Sequence, residues 1–325
     1  MNIEAYDAES LRKLVRILEY ENRILKDKLK KENIPYDEVN PFEETIDSVE
    51  EYDPDQGGRI VNPSFITEKM ATHFFSMFWG REDVYAKRGK NGGYFPQCDN
   101  RWDNRLCPKQ RGEKIFCDEC ENTKWTRLDA KKIISHLLGH KEDGSDVIGV
   151  YPLLTNGMCR FIVFDFDNHE KGAEATDFAN TDNEWYKEVE ALRKMCEING
   201  IKPLVERSRL GKGAHVWIFF KKAIPASVAR NFGFMLLDKG SASINLKSFH
   251  YYDRMYPSQD VASSIGNLIA LPMQGQALKH GNSAFVDENW NAYPNQWDVL
   301  LNKTQKLGME DLSLIHISEP TRLRC

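Results

Sequence analysis

The chain has 325 residues, enough for about two domains, and 41% of them are hydrophobic, enough for a sizeable core. A net charge of −5 excludes a uniformly basic coat, so any nucleic-acid surface must be a local patch. No apolar run approaches the roughly 18 residues of a membrane span, and the acidic N-terminus is unlike a secretory leader, so the sequence points to a cytoplasmic protein.

Ser10 reads as the N-cap of a helix in which Leu11, Val15, Leu18, Asn22, Leu25 and Leu29 alternate spacings of four and three. This is a heptad seam with charged flanks, and Asn22 is the kind of polar seam residue that fixes register in a two-stranded coil. Residues 1–34 therefore suggest a parallel homodimer, or else one amphipathic helix lying on its own chain. Residues 35–61 form an acidic linker: residues 37–55 hold nine acidic side chains and no basic one. Globular composition starts at Asn62. Thr67 should cap a helix whose Met70, Phe74, Phe75, Met77 and Phe78 supply core.

Four of the seven cysteines, Cys98, Cys107, Cys117 and Cys120, fall within 23 residues. In a reducing compartment that clustering points to metal before disulfides. Cys117-Asp-Glu-Cys120 has the spacing of a zinc half-site, and residues 92–121 are too poor in aliphatic side chains to stay ordered without a staple. A structural four-cysteine Zn2+ knuckle is expected, with free thiols as the alternative. Residues 87–114 also carry eight basic residues against three acidic ones, with Tyr94, Phe95 and Trp102 interleaved. That mixture suits phosphate contact and base stacking, with a purely structural knuckle bearing a solvated face as the competing view.

A short helix is expected at residues 130–138, then a strand at 146–153 that makes a hairpin, through Thr155-Asn156-Gly157, with a strand ending at Asp167. Phe161 to Phe164 is an unbroken apolar run ending in Asp165 and Asp167. Residues two apart on a strand share a face, so the two carboxylates leave the sheet side by side. Such a pair repels unless a cation lies between, and a hard divalent ion shared with a phosphate is the natural solution. A helix at 182–199 and a strand at 203–207 follow. Next, Ser208-Arg209-Leu210-Gly211-Lys212-Gly213-Ala214-His215 joins a glycine turn with basic side chains to an apolar strand carrying one histidine. Freed amides and basic groups make a place for phosphates. A helix from Pro225 to about Leu237 precedes Tyr252-Asp253-Arg254, where Asp253 is the candidate third carboxylate and Asp260 and Asp287 are its rivals. Arg254 and Lys279 could serve phosphate or nucleic acid.

Hydrophobic-Asp-x-Asp, small-x-His on a strand and a later hydrophobic-Asp occur here in that order. Together they resemble the archaeo-eukaryotic primase, or primase-polymerase, superfamily. Tyr151-Pro152-Leu153-Leu154, residues 208–220, Tyr252-Asp253-Arg254 and residues 266–272 are similar to the primase domain of TOTE conflict systems, mobile-element or defence proteins in which this domain often precedes a helicase. The resemblance covers roughly residues 62–301, and residues 62–311, including the cysteine segment, are expected to form one domain. It implies an α+β fold in which a mixed or antiparallel sheet, flanked by helices, carries the Asp pair and His215 on adjacent strands. It further implies that Asp165, Asp167 and Asp253 hold two Mg2+ or Mn2+ ions, and that His215, helped by Ser208 and Lys212, contacts the (d)NTP phosphates; Arg209 and Arg254, read from the residues themselves, are expected to bind nucleotide or phosphate beside them. The cysteines would be a zinc knuckle, and the activity template-directed nucleotidyl transfer by a DNA primase or polymerase. Residues 312–325 read as a non-native read-through tail, beyond which a helicase would follow. A degenerate nucleic-acid-binding module is the alternative. A glycosyltransferase needs neither the His215 strand nor the basic loop, and a metal nuclease lacks its acidic-x-Lys pair.

Overall fold

The computed structural model describes residues 8–32, 66–169, 184–261 and 265–312. The acidic linker, the Asn62 boundary and residues 313–325 lie outside them. The chain divides into Met1–Val39 and Asn40–Cys325.

Among the described residues of the first unit, helix α1 (Ala8–Lys31) ends on Lys28, Lys30 and Lys31, which favour the negative end of its dipole. It starts before Ser10, which therefore sits in the first turn instead of capping it. The seam residues Val15, Leu18 and Leu25 are at least half exposed.

The second unit contains α2 (Glu68–Met77), β1 (Ala86–Arg88), β2 (Tyr94–Pro96), α3 (Ala130–Leu138), β3 (Ile148–Val150), β4 (Met158–Asp167) and α4 (Glu184–Ile198). It continues with β5 (Leu204–Arg207), β6 (Gly213–Pro225), α5 (Ala226–Ser243), β7 (Tyr252–Tyr256) and β8 (Ile269–Ala270). Last come α6 (Gly275–Leu278), β9 (Ala284–Val286), α7 (Gln296–Asp298) and β10 (Lys306–Leu307). The six-stranded sheet has the order β7-β4-β6-β5-β9, antiparallel throughout, with β10 added parallel to β6. A four-stranded sheet has the order β2-β1-β3-β8. The expected mixed α+β architecture is present.

Strand β4 is apolar at every position from Phe161 to Phe164 because both of its faces are covered. Ile162, Phe164 and Phe166 pack in a core with α4 and α5, through Trp185, Val189, Leu192, Phe232 and Leu236. Phe161 and Val163 pack on the opposite face with Phe74 and Phe78 of α2, Ile133 of α3 and Trp217 of β6. Burying one such aromatic side chain contributes about 1.5–3 kcal/mol. Two continues as the period along the strand, so Asp165 and Asp167 lie on the α2 side, where this packing runs out. Thr67 caps α2 as expected, accepting from the Met70 N–H.

Two expectations fail for identifiable reasons. The turn at 155–157 forms, with Leu154 N–H donating to the Met158 carbonyl, but β3 does not pair with β4. It pairs with β1 and β8 in the small sheet. The Tyr151 carbonyl accepts from Arg81 N–H, and Pro152 has no N–H to continue a ladder. Helix α5 also runs past Leu237 to Ser243. Gly240 does not stop it: an added Cβ there would lie 3.0 Å from Phe249, so the glycine admits a ring.

Candidate active site

Arg254, Asp165, His215 and Glu206 form one row across four adjacent strands. Asp165 of β4 opposes Arg254 of β7 on one side and His215 of β6 on the other. His215 in turn opposes Glu206 of β5. Directly opposed residues share a face, so the ladder alone brings these four side chains together.

His215 is held on both nitrogens. Nδ1 lies 2.9 Å from Glu206 Oε2 and Nε2 lies 3.5 Å from Asp165 Oδ1. Glu206 is buried and also accepts from Trp217 Nε1 at 3.0 Å and from the Ser283 hydroxyl at 3.2 Å. Burial alone would push the imidazole down. The charge and hydrogen bond of Glu206, with Asp165 and Asp167 behind them, outweigh it and raise His215 from 6.5 to about 9. His215 is thus a cation at neutral pH. Asp165 is raised in its turn, first by burial and then by the charges of Asp167 and Asp253, against the pull of His215 and Arg254.

Exposure grows along this constellation. The side chains of Glu206, His215 and Asp165 are 2%, 11% and 18% exposed, whereas Asp253 and Asp167 reach 30% and 43%. Among the described residues, the carboxylates are thus most open on the Asp167–Asp253 side. Asp253 sits at a bulge: Asp165 pairs with Arg254 and Phe166 with Tyr252, leaving Asp253 as the extra residue. A bulge re-aims a side chain that regular pleating would send to the other face. Its carboxylate accepts from Arg254 Nε at 2.8 Å, and that of Asp167 lies 3.6 Å from His169 Nδ1.

The glycine turn after β5 abuts this row. Ser208 N–H donates to the Gly213 carbonyl and the Lys212 carbonyl accepts from Asn168 N–H, so the turn is tied to the end of β4. Only glycine fits at 213, where an added Cβ would sit 2.0 Å from the Phe166 carbonyl oxygen. Ser208, Arg209 and Lys212 are half-buried. The rivals of Asp253 have other partners: Asp260 pairs with Arg230, and Asp287 accepts from the Asn289 and Asn291 N–H groups of its own turn. Lys279 is exposed and donates to Gln276.

Cys98, Cys107, Cys117 and Cys120 are half-buried free thiols in the irregular stretch between β2 and α3. Lys124 N–H points at Cys98 Sγ from 3.4 Å. Among the described residues no group of three or more His, Cys, Asp or Glu side chains gathers closely enough to cage a cation. The four thiols thus do not form the tetrahedron a structural zinc needs. The carboxylates differ, because Mg2+ needs only one or two of them beside substrate phosphates. Asp165 and Asp167 share a strand face, and the Asp167 charge bears on Asp165, so the pair fits such an ion.

Two relevant residues had no sequence signal. Glu206 reads as an ordinary strand residue. Tyr256 carried no reading, yet burial and then the Asp165 charge raise its phenol.

The domain is thus α+β, with an antiparallel sheet presenting carboxylates and a charged imidazole on neighbouring strands beside a basic glycine turn. Residues 69–315 match the family described as the TOTE conflict system, Archaeo-Eukaryotic Primase domain, and the chain belongs to that family. It is also similar to the polymerase domain of Mycobacterium tuberculosis ligase D, solved in complex with DNA, at 14% identity and a TM-score of 0.38, over 78% of this chain and 89% of that one. No curated protein matches the chain. No helix among the described residues is long and apolar enough to cross a membrane.

Proposed function

We propose that the protein is a template-directed nucleotidyltransferase, a DNA primase or polymerase. The observation that carries this is the row in which Asp165 faces a cationic His215 with Asp167 alongside. Family membership supports nucleotidyl transfer on DNA, and a place in a conflict system of mobile-element or defence type.

Asp165 and Asp167 would hold the divalent cations, with Asp253 released from Arg254 to join them. Such ions supply Lewis-acid charge neutralisation for in-line attack on a phosphoryl group. The chain's own groups do the rest. Glu206 fixes His215 with Nε2 facing the cleft, so the imidazolium donates to phosphate oxygens and does not act as a base. Ser208 and Lys212 line the path of the triphosphate. Burial of Asp165 excludes water from one side of the reacting centre and strengthens its interaction with any cation.

The cysteine segment belongs to the same proposal as a surface for the template strand. Its support is the exposed aromatics Phe95, Trp102 and Phe116 among basic residues. Arg101 stacks over both Phe95 and Trp102. A helicase partner and a homodimer through α1 complete the proposed assembly.

The test is a primer-synthesis assay on a single-stranded template with Mn2+ and labelled dNTPs or NTPs. Product is expected from the wild type and none from Asp165→Ala. No product from the wild type under any nucleotide supply would favour the binding-module alternative.

A further inference from the structure

Resting on the nucleic-acid side of that reading, we propose that the cavity between α3 and the small sheet seats a backbone phosphate of the single strand whose bases stack on Phe95 and Trp102. The site is separate from the carboxylate row. The cavity has a volume of about 340 Å³, and its lining includes Tyr85, Lys87, Asp129, Lys131, Lys132 and Asp146.

Both carboxylates of this cavity are already engaged. Asp129 caps α3, accepting from Lys132 N–H at 2.9 Å, and pairs with the Lys132 ammonium. Asp146 is buried and accepts from Lys141 N–H at 2.8 Å and from Gln274 Nε2 at 3.3 Å. Among the described residues Lys87 and Lys131 have no ion pair, so two cations are left uncommitted. Lys87 is half-buried, and burial and then the Lys141 charge push its ammonium down. Asp129, Lys131 and Lys132 also place the cavity at the start of α3, the positive end of its dipole. Folding gains nothing from gathering lysines there, so the arrangement calls for an anion. A lysine binds phosphate as a point charge, without the two-pronged geometry of a guanidinium. A singly charged diester suits such a seat.

The sheet register leads from this seat to the aromatic surface. Lys87 of β1 opposes Ile148 of β3 on one side and Phe95 of β2 on the other, so all three share a face. Directly opposed residues lie about 4.5–5.5 Å apart, which makes the cation and the ring neighbours. The Phe95 ring lies over Gly89, where an added Cβ would be 2.8 Å from it. Arg101 stands 5.1 Å from the Phe95 ring centre and 5.2 Å from that of Trp102, which is 76% exposed. Cation, ring, guanidinium and indole thus follow one another, an order that suits a backbone and its unpaired bases. A duplex keeps its bases paired inside, so this surface selects a single strand. Arg88 and Tyr94 alternate to the other face, where Arg88 and Arg209 both approach Gly144. The seat therefore lies on the side of the small sheet turned away from the glycine turn.

The test is fluorescence anisotropy of a labelled single-stranded oligonucleotide with the full chain across a salt series, beside calorimetry of a nucleoside triphosphate with Mg2+ on the same preparations. Lys87→Gln/Lys131→Gln should weaken the oligonucleotide about tenfold and flatten its log–log salt dependence by about 0.7, the share of one phosphate on a single strand. Triphosphate binding should not change. Lys131 is exposed, so Lys131→Glu spares the fold and should weaken the oligonucleotide in the same direction. Trp102→Ala should cost about fivefold or more and leave the salt dependence as it is. Unchanged affinity and slope in both lysine variants would overturn the seat. So would a loss that falls on the triphosphate, which would assign the lysines to the nucleotide. Binding requires no turnover: a wild type that binds the strand with these losses in the variants, yet extends no primer, would uphold the seat and defeat the nucleotidyl-transfer reading.

Discussion

Glu206 grips His215 from behind: Oε2 lies 2.9 Å from Nδ1 and leaves Nε2 turned toward Asp165. A carboxylate that also accepts from Trp217 and Ser283 cannot rotate away, so it fixes both the orientation and the charge of the imidazole.

The first prediction concerns that charge. His215 is raised to about 9, so its contribution to stability is fully present below 6.5 and is lost as pH rises through 9. Glu206→Gln keeps a hydrogen-bonding group and removes the charge. The alkaline limb of the kcat/KM profile for nucleotide should move toward neutral pH in this variant. A limb that stays in place would mean that Glu206 does not set the charge of His215. Glu206→Ala should cost about 3–5 kcal/mol in chemical denaturation, because it strands a buried cation.

Divalent cation is expected to stabilise the fold. Ions that bind only the native state add stability by mass action. Millimolar Mg2+ or Mn2+ should raise the melting temperature of the wild type and leave Asp165→Asn unmoved. Equal stabilisation of both proteins would place the cation elsewhere.

Gly213→Ala tests the junction of the turn with β4. The added methyl would meet the Phe166 carbonyl 2.0 Å away, and backbone must shift to admit it. A loss of about 1–3 kcal/mol is expected in denaturant unfolding, together with weaker nucleotide binding. A variant of wild-type stability would contradict the tight approach.

Helix α1 should associate in parallel pairs. Val15, Leu18 and Leu25 are 53%, 50% and 58% exposed, and Asn22 lies in the same seam. Sedimentation should show a dimer for the full chain and a monomer for the Leu18→Glu/Leu25→Glu variant. A wild type that stays monomeric at high concentration would dismiss the coil.

Local signals carried much of this architecture. The apolar run of β4, the Gly-rich entry to β6 and the cap of α2 are patterns of adjacent residues. Asp165 and His215 were expected on neighbouring strands, and the ladder opposes them directly. What escaped was non-local. Pairing of β3 with β8 depends on a strand more than a hundred residues away. Glu206 gains its meaning only from the register that sets it beside His215. The bulge at Asp253 is a property of two strands together, and Arg88 meets Arg209 only because two sheets approach. Zinc ligation at Cys98, Cys107, Cys117 and Cys120 rests on spacing alone, and the fold leaves the four thiols ungathered; metal analysis of the purified chain tests it, and one zinc per chain would restore the knuckle.

Primer extension by wild type and Asp165→Ala on one template, with oligonucleotide affinity measured on the same preparations, tests the carboxylate row most directly. The variant should lose more than about a hundredfold in extension rate while binding the oligonucleotide as the wild type does. Extension at the wild-type rate in Asp165→Ala would contradict the assignment of this row as the catalytic centre.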